Sequence, residues 1–302
     1  MKVQRITLED IAALAGVTKM TVSRYLRTPE KVKPETAERI ASVIEEVGYQ
    51  PDADNPAISS NAAPRIGVLV PSFNNQIFSD VLAGIESVTT AHGYQTLVVN
   101  YDYDSQREEE QIATVLALNV KALLLTESVH TLRAEKYLKA AKIPVAEVMG
   151  LSDNADRINV GFDNYRAGLD MTNMLLASGK KQIIYFGSMS DIRDEQRYAG
   201  YCRAMEEAGL AVGRIAPNKV SSVSIGTGMM TLARQMYKEM DAILCTNDDL
   251  AVGVLQECIA SGITVPQEMA IAGFHGLEIG QVVSPRLASV LTPRFEMGKV
   301  AT

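Results

Sequence analysis

Lys19, Met20, Thr21 and Arg24 fall in one short run, Thr18-Lys19-Met20-Thr21-Val22-Ser23-Arg24. Such groups, exposed at the start of a helix, can read base edges and phosphates in a DNA major groove. A second set of polar and aromatic residues lies at the ends of apolar runs: Ser72-Phe73, Tyr101, Glu127, Phe162-Asp163, Arg193, Arg197, Asn247-Asp248, Phe274-His275 and Arg294. At the carboxyl ends of parallel strands, such groups would line a small-molecule cleft. Enzyme signatures are lacking. The histidines, His92, His130 and His275, are dispersed and give no metal-ligand spacing. No Gly-x-Ser-x-Gly elbow or phosphate loop occurs. Gly226-Thr227-Gly228 lacks the last glycine of a dinucleotide fingerprint and reads as a turn. The expectation is a non-enzyme with no metal and no cofactor.

Two short helices and a tight turn must position the first set. Thr7 with Asp10 makes an approximate capping box. Leu8, Ile11, Ala12 and Ala15 recur at helical spacing. Gly16 suits the left-handed residue that stops a helix. Thr18 caps the next helix, and Val17 staples against Val22. A third helix begins at Pro34, turns Ala37, Ile40, Ala41, Ile44 and Val47 inward, and ends at Gly48. This is helix-turn-helix geometry. Many helical hairpins bind no nucleic acid, but ordered caps with exposed Lys and Arg favour DNA here.

The second set needs a larger scaffold. Residues 52–64 lack apolar periodicity and read as a linker. From Arg65, buried strands are predicted at Ile66–Val70, Gln95–Val99, Ala122–Leu125 and Val145–Val148. After Asp163 they recur at Ile183–Phe186, Ala242–Leu244 and Met269–Ala272, with helices between. That alternation specifies parallel α/β sheets in two lobes with a cleft between them. The domain reading is a head at 1–51, a hinge at 52–64 and a core at 65–302. Lobe 1 takes about 65–162 and 291–302, and lobe 2 about 163–290.

The 302 residues suffice for a head and a two-lobed core, and 47% hydrophobic content is ordinary for a globular protein. No signal peptide or long apolar run is visible, which excludes membrane partners and points to the cytoplasm. Cys202, Cys245 and Cys258 are an odd set that reads as reduced thiols. The net charge is −7, yet the first 50 residues carry 8 Lys/Arg against 7 Asp/Glu. One head is therefore a weak DNA binder, and two heads on a two-fold dimer are needed.

The stretch Asp10-Ile-Ala-x-x-Ala-Gly-Val-Thr18 followed by Thr21-Val-Ser-Arg24 resembles the DNA-binding head of the lac-repressor family. The rest is similar to that family's sugar-binding, periplasmic-binding-protein-like core. Asn75-Gln76-x-Phe78, Gly84–Val88, Val160–Asn164, Cys245–Asp249 and Ala270–Gly276 bring it nearest to the regulators of gluconate and L-idonate use. The resemblance implies DNA contacts from Thr18, Lys19, Met20, Thr21, Ser23, Arg24 and Tyr49. It also implies a hinge that becomes helical on DNA, with Ile58 as the minor-groove wedge. Asp52-Ala53 replaces the family's usual Asn-Arg there, and Asp54 and Pro56 follow, which weakens the hinge contact or marks an altered chain. Family members continue beyond the helix that starts near Arg294, so the C-terminal end reads as incomplete, a naturally short lobe being the alternative.

For the cleft, the resemblance selects Arg197, Asn247 and His275 as sugar contacts. Many relatives carry Asp where His275 stands. A histidine donates, or carries positive charge, and so tolerates a carboxylate ligand. Arg197 in bidentate fashion, and Arg193, would grip that carboxylate. Ser72, Phe73, Phe162 and Phe274 complete the effector set, the phenyl rings facing the carbon chain. Arg193 stands equally as a ligand or as a solvated helix start. Asp248 and Asp163 read as helix caps. The expected function is a repressor of sugar-acid catabolism, acting as a homodimer or higher assembly on double-stranded operator DNA. A gluconate- or idonate-like acid would control it allosterically. A sensor with another ligand, or with weakened DNA binding, is the rival.

Overall fold

The computed structural model describes residues 6–47, 49, 63–152, 154–189 and 191–302. They form two compact units that divide after Pro64. Residues 52–62 of the hinge, with Asp52 and Ile58, lie outside the described residues, as does Gly48.

In the first unit α1 is Leu8–Ala15, α2 Lys19–Arg27 and α3 Pro34–Val47, with a 3₁₀ turn at Pro29–Lys31. The predicted capping box is present: Asp10 N–H donates to Thr7 Oγ1 at 3.3 Å, and Thr7 N–H to Asp10 Oδ2 at 2.8 Å. Gly16 ends α1 at φ +63°, a left-handed conformation that side-chain-bearing residues rarely adopt. Ile11, Ala12, Ala15, Val22 and Ile40 make the buried core, with Leu8, Val17 and Ile44 against it.

The second unit alternates strand and helix. Its elements are β1 (Arg65–Val70), α4 (Ile77–Ala91), β2 (Gln95–Asn100), α5 (Ser105–Ala117), β3 (Ala122–Leu125), α6 (Leu132–Ala141), β4 (Val145–Val148) and β5 (Ile158–Val160). Then follow α7 (Asn164–Ala177), β6 (Ile183–Phe186), α8 (Ile192–Glu207), β7 (Arg214–Ile215), α9 (Val223–Met236) and β8 (Ala242–Cys245). The chain continues with α10 (Asp248–Ala260), β9 (Ala270–His275), α11 (Glu278–Val282), β10 (Ala288–Leu291) and α12 (Arg294–Ala301). Two five-stranded sheets result, ordered β2-β1-β3-β4-β5 and β10-β9-β8-β6-β7, and all the pairings are parallel. Both faces are buried, so strands read as continuous apolar runs. Along β1, Ile66, Val68 and Val70 pack on one side and Leu69 on the other. The period-two alternation thus builds two half-cores on each sheet.

Three strands escaped the sequence reading. β5, β7 and β10 are short and lie on the sheet edges, where burial no longer demands a sustained apolar run. Leu291 of β10 pairs with His275 of β9. Gly226 and Gly228 are not a turn but lie in α9, capped by Ser222. A Cβ at Gly226 would stand 2.2 Å from Leu250 O, and one at Gly253 in α10 2.0 Å from Val223 O. These glycines let two helices touch backbone to backbone, a packing role that local sequence does not distinguish from a turn.

Candidate functional site

The head places its polar residues as the caps require. Thr18 is the N-cap of α2, accepting from Thr21 N–H at 3.3 Å, and the two hydroxyls lie 2.9 Å apart. Lys19 and Met20 are exposed at the start of α2, Met20 at 70%, and Arg24 is exposed in its last turn. Lys19 Nζ is paired with Glu9 of α1. This exposed pair is weak and screened, so a base or phosphate can displace it. Thr21 and Ser23 are half-buried, and Ser23 Oγ accepts from Arg27. Tyr49 packs against the head core, with its N–H donating to Ile44 O at 3.0 Å. Exchanging Lys19 and Met20 for other pairs is therefore expected to change which operator is preferred without unfolding the head. Binding-site selection with purified variants reads this directly, and an unchanged preference would refute the assignment.

The cleft forms where strand order reverses in each sheet, between β1 and β3 and between β6 and β8. Asn75, Phe78 and Tyr103 line it from the first lobe. Ser188, Asp191, Arg193, Arg197, Thr246, Asn247 and His275 line it from the second. It encloses only about 40 Å³ of free space.

Arg197 is the centre of this arrangement. Asp191 caps α8 by accepting from Asp194 N–H at 2.9 Å. Arg197 stands on that helix, 4% exposed. Its Nε donates to Asn164 Oδ1 at 2.8 Å and its Nη1 to Thr246 O at 2.6 Å. The guanidinium lies over the Phe274 ring, 4.5 Å from its centroid, with Phe162 at 6.0 Å. Among the described residues it makes no ion pair, and Nη2 has no protein partner. The bidentate grip expected from sequence is thereby reduced to one free nitrogen.

His275 ends β9 at φ +94°, a strained conformation held by its surroundings. Its Nε2 lies 3.3 Å from Arg197 Nη1 and its Nδ1 3.2 Å from Thr292 Oγ1. Arginine only donates, so Nε2 accepts, and the proton is assigned to Nδ1. Burial first, then Arg197, Arg294 and Arg193, push the imidazole pKa well below its usual value. Of the two roles expected for it, donor or cation, the depressed pKa opposes the cationic one, and Nε2 serves as an acceptor for Arg197.

Asn247, not Asp248, caps α10, with Oδ1 accepting from Leu250 N–H at 3.1 Å. Its Nδ2 remains for a ligand. Asp248 is fully buried, accepts from Leu277 N–H and the Ser289 hydroxyl, and is pushed by burial up to about 6. Asp163 caps α7 as expected. Arg193 is not solvated. It is 5% exposed and bonds Thr126 O, Glu127 Oε1 and Asp191 Oδ2 at 2.9, 2.8 and 3.3 Å.

The apolar set fares less well. Ser72 is buried with its Oγ accepting from Asn74 N–H, and Phe73 is 61% exposed, outside the cleft lining. Phe162 and Phe274 serve Arg197 rather than the cavity wall. Asn75 and Tyr103 were missed, and they are bonded to each other at 3.0 Å. Asp102 and Tyr103 both have positive φ, 56° and 58°, which breaks the strand geometry carrying Tyr101 inward. Asn75 already stood in the Asn75-Gln76-x-Phe78 motif.

Among the described residues no group of His, Cys, Asp and Glu is placed to hold a metal ion, and no helix is long and apolar enough to cross a membrane. A helix-turn-helix head joined in one chain to a two-lobed ligand cleft defines a ligand-responsive transcriptional regulator. Family models agree. Residues 7–52 match the bacterial regulatory proteins of the lacI family, and 63–302 match the periplasmic binding proteins and sugar binding domain of the LacI family. The chain belongs to the LacI family of bacterial transcriptional regulators. It is 48% identical to the regulator IdnR of Escherichia coli K12 over 302 residues, all of this chain and 91% of that one. It is also 48% identical to the regulator GntR of the same strain, over 99% of this chain and 91% of the relative. A LacI-family regulator from Silicibacter pomeroyi superposes with a TM-score of 0.89 at 29% identity, covering 98% of this chain and 90% of that one.

Proposed function

We propose that this regulator is a cytoplasmic repressor of sugar-acid catabolism whose effector is a six-carbon aldonate such as gluconate or idonate. It acts as a homodimer on a two-fold operator. The supporting observation is Arg197, a buried guanidinium without a carboxylate partner, facing a polar cleft. A buried unpaired charge is costly, so the site favours a ligand that brings the opposite charge. Asn75, Tyr103, Ser188 and Asn247 supply donors and acceptors for hydroxyls. His275 brings no negative charge to a place where an Asp would repel the acid. Closure of the lobes on the acid would change the dimer and hence the register of the heads, and the acid must prefer one state energetically. Gel shifts on an operator, with and without gluconate or idonate, test the regulator. Calorimetry tests the effector. Neutral glucose or galactose binding as tightly as the aldonates would refute the acid reading.

A further inference from the structure

The cleft holds two buried arginines that differ in electrostatic state. Arg197 has no acid partner, whereas Arg193 contacts Glu127 and Asp191. Arg193 belongs to α8 in the second lobe, and Glu127 follows β3 in the first. Among the described residues this is the one ion pair that joins the lobes. Glu127 is itself fixed, because Tyr101 O–H donates to the same Oε1 at 2.9 Å, and Arg193 Nη1 is fixed by Thr126 O.

We propose that Glu127 is a specificity residue: from within the chain it occupies the place on Arg193 that a second anionic group of a ligand would take, restricting the closed cleft to mono-acids. The inference rests on the sugar-acid reading of the site. Arg193, Arg197 and Asp191 line the cleft, Asp194 there is paired with Arg214, and Glu127, outside that lining, holds Arg193, so among the described residues Arg197 is the one cleft guanidinium that no carboxylate contacts. Arg197 stabilises one added carboxylate. A second would meet Glu127 and Asp191 with no unpaired cation, and buried like charges are strongly disfavoured. The free space of about 40 Å³ suits a few waters at most, so the lobes must part to admit a six-carbon acid. On closing they restore the Glu127–Arg193 pair, and the discrimination acts at that step.

The test is calorimetry of gluconate and of its dicarboxylate counterpart, glucarate, on wild type and on Glu127→Gln. Glutamine keeps an oxygen for Tyr101 O–H and removes the charge. Wild type is expected to bind gluconate at least about tenfold tighter than glucarate, and Glu127→Gln to reduce that ratio by about tenfold. Wild type that binds the two acids equally overturns the proposal, even if the variant fails to fold. If wild type prefers gluconate and the folded variant keeps the same ratio, Glu127 has no such role and the sugar-acid reading stands. If neither acid binds wild type, the sugar-acid reading fails and this inference with it.

Discussion

Arg197→Ala is expected to lower aldonate affinity by about a hundredfold or more. A charge-assisted hydrogen bond to a buried group is worth roughly 1.5–3 kcal/mol, and removing one partner of a buried pair costs about 3–5 kcal/mol. The guanidinium supplies the free Nη2, and its direct partners, Asn164 Oδ1 and Thr246 O, are neutral oxygens rather than carboxylates. It also ties Asn164 at the start of α7 to the Thr246 carbonyl after β8. Some thermal stability is therefore lost as well, and a melt must accompany the titration. Arg197→Lys keeps the charge without the planar fork, and is expected to fall between the two. Calorimetry with gluconate reads all three proteins. Alanine at 197 with aldonate affinity intact would leave only the broader family assignment standing.

A second large effect concerns pH and a buried charge cluster away from the cleft. His130 Nδ1 is 3.0 Å from Glu108 of α5, and its Nε2 is 3.6 Å from Glu147 of β4, an ion pair too long for a hydrogen bond. Arg157 also contacts Glu147, and it bonds Glu135 of α6. Burial and Arg157 oppose the charge on His130, but the two carboxylates outweigh them and raise its pKa to about 9. The unfolded value is near 6.5, so the folded state binds the extra proton between those limits. Its contribution is fully present below pH 6.5 and is lost as pH rises through 9. It amounts to about 3 kcal/mol at most. His275 works in the opposite sense. Its pKa is depressed by burial and three arginines, so its contribution is present above 6.5 and is lost as pH falls below. Denaturant unfolding from pH 5 to 9.5 is expected to lose stability at both ends. His130→Gln should flatten the alkaline limb alone. An alkaline limb unchanged in that variant would show that the cluster does not hold the proton.

The head was legible because its determinants are local. Thr7 reaches Asp10 within one turn, Gly16 ends its own helix, and Thr18 bonds Thr21. Such contacts are fixed by spacing alone. The long buried strands were legible for a similar reason, since a run such as Ala122–Leu125 has no other place to go. Gly226 of α9 was not, because its meaning lies in α10, 27 positions away at Gly253.

The sequence by itself determined the architecture, the family and the identity of the charged residues in the cleft. Tertiary structure decided which charges are free. Arg193 and Arg197 lie four residues apart on one helix and look equivalent in the sequence. Glu127, 66 positions from Arg193, neutralises one of them, while Asn164 and Thr246 hold the other through neutral oxygens. Burial first, and then Arg197, 78 positions away and donating to it, push the His275 pKa well down. Caps and periodicity act within a turn or a strand, but a side chain's charge state is set by whatever the fold brings within a few ångströms.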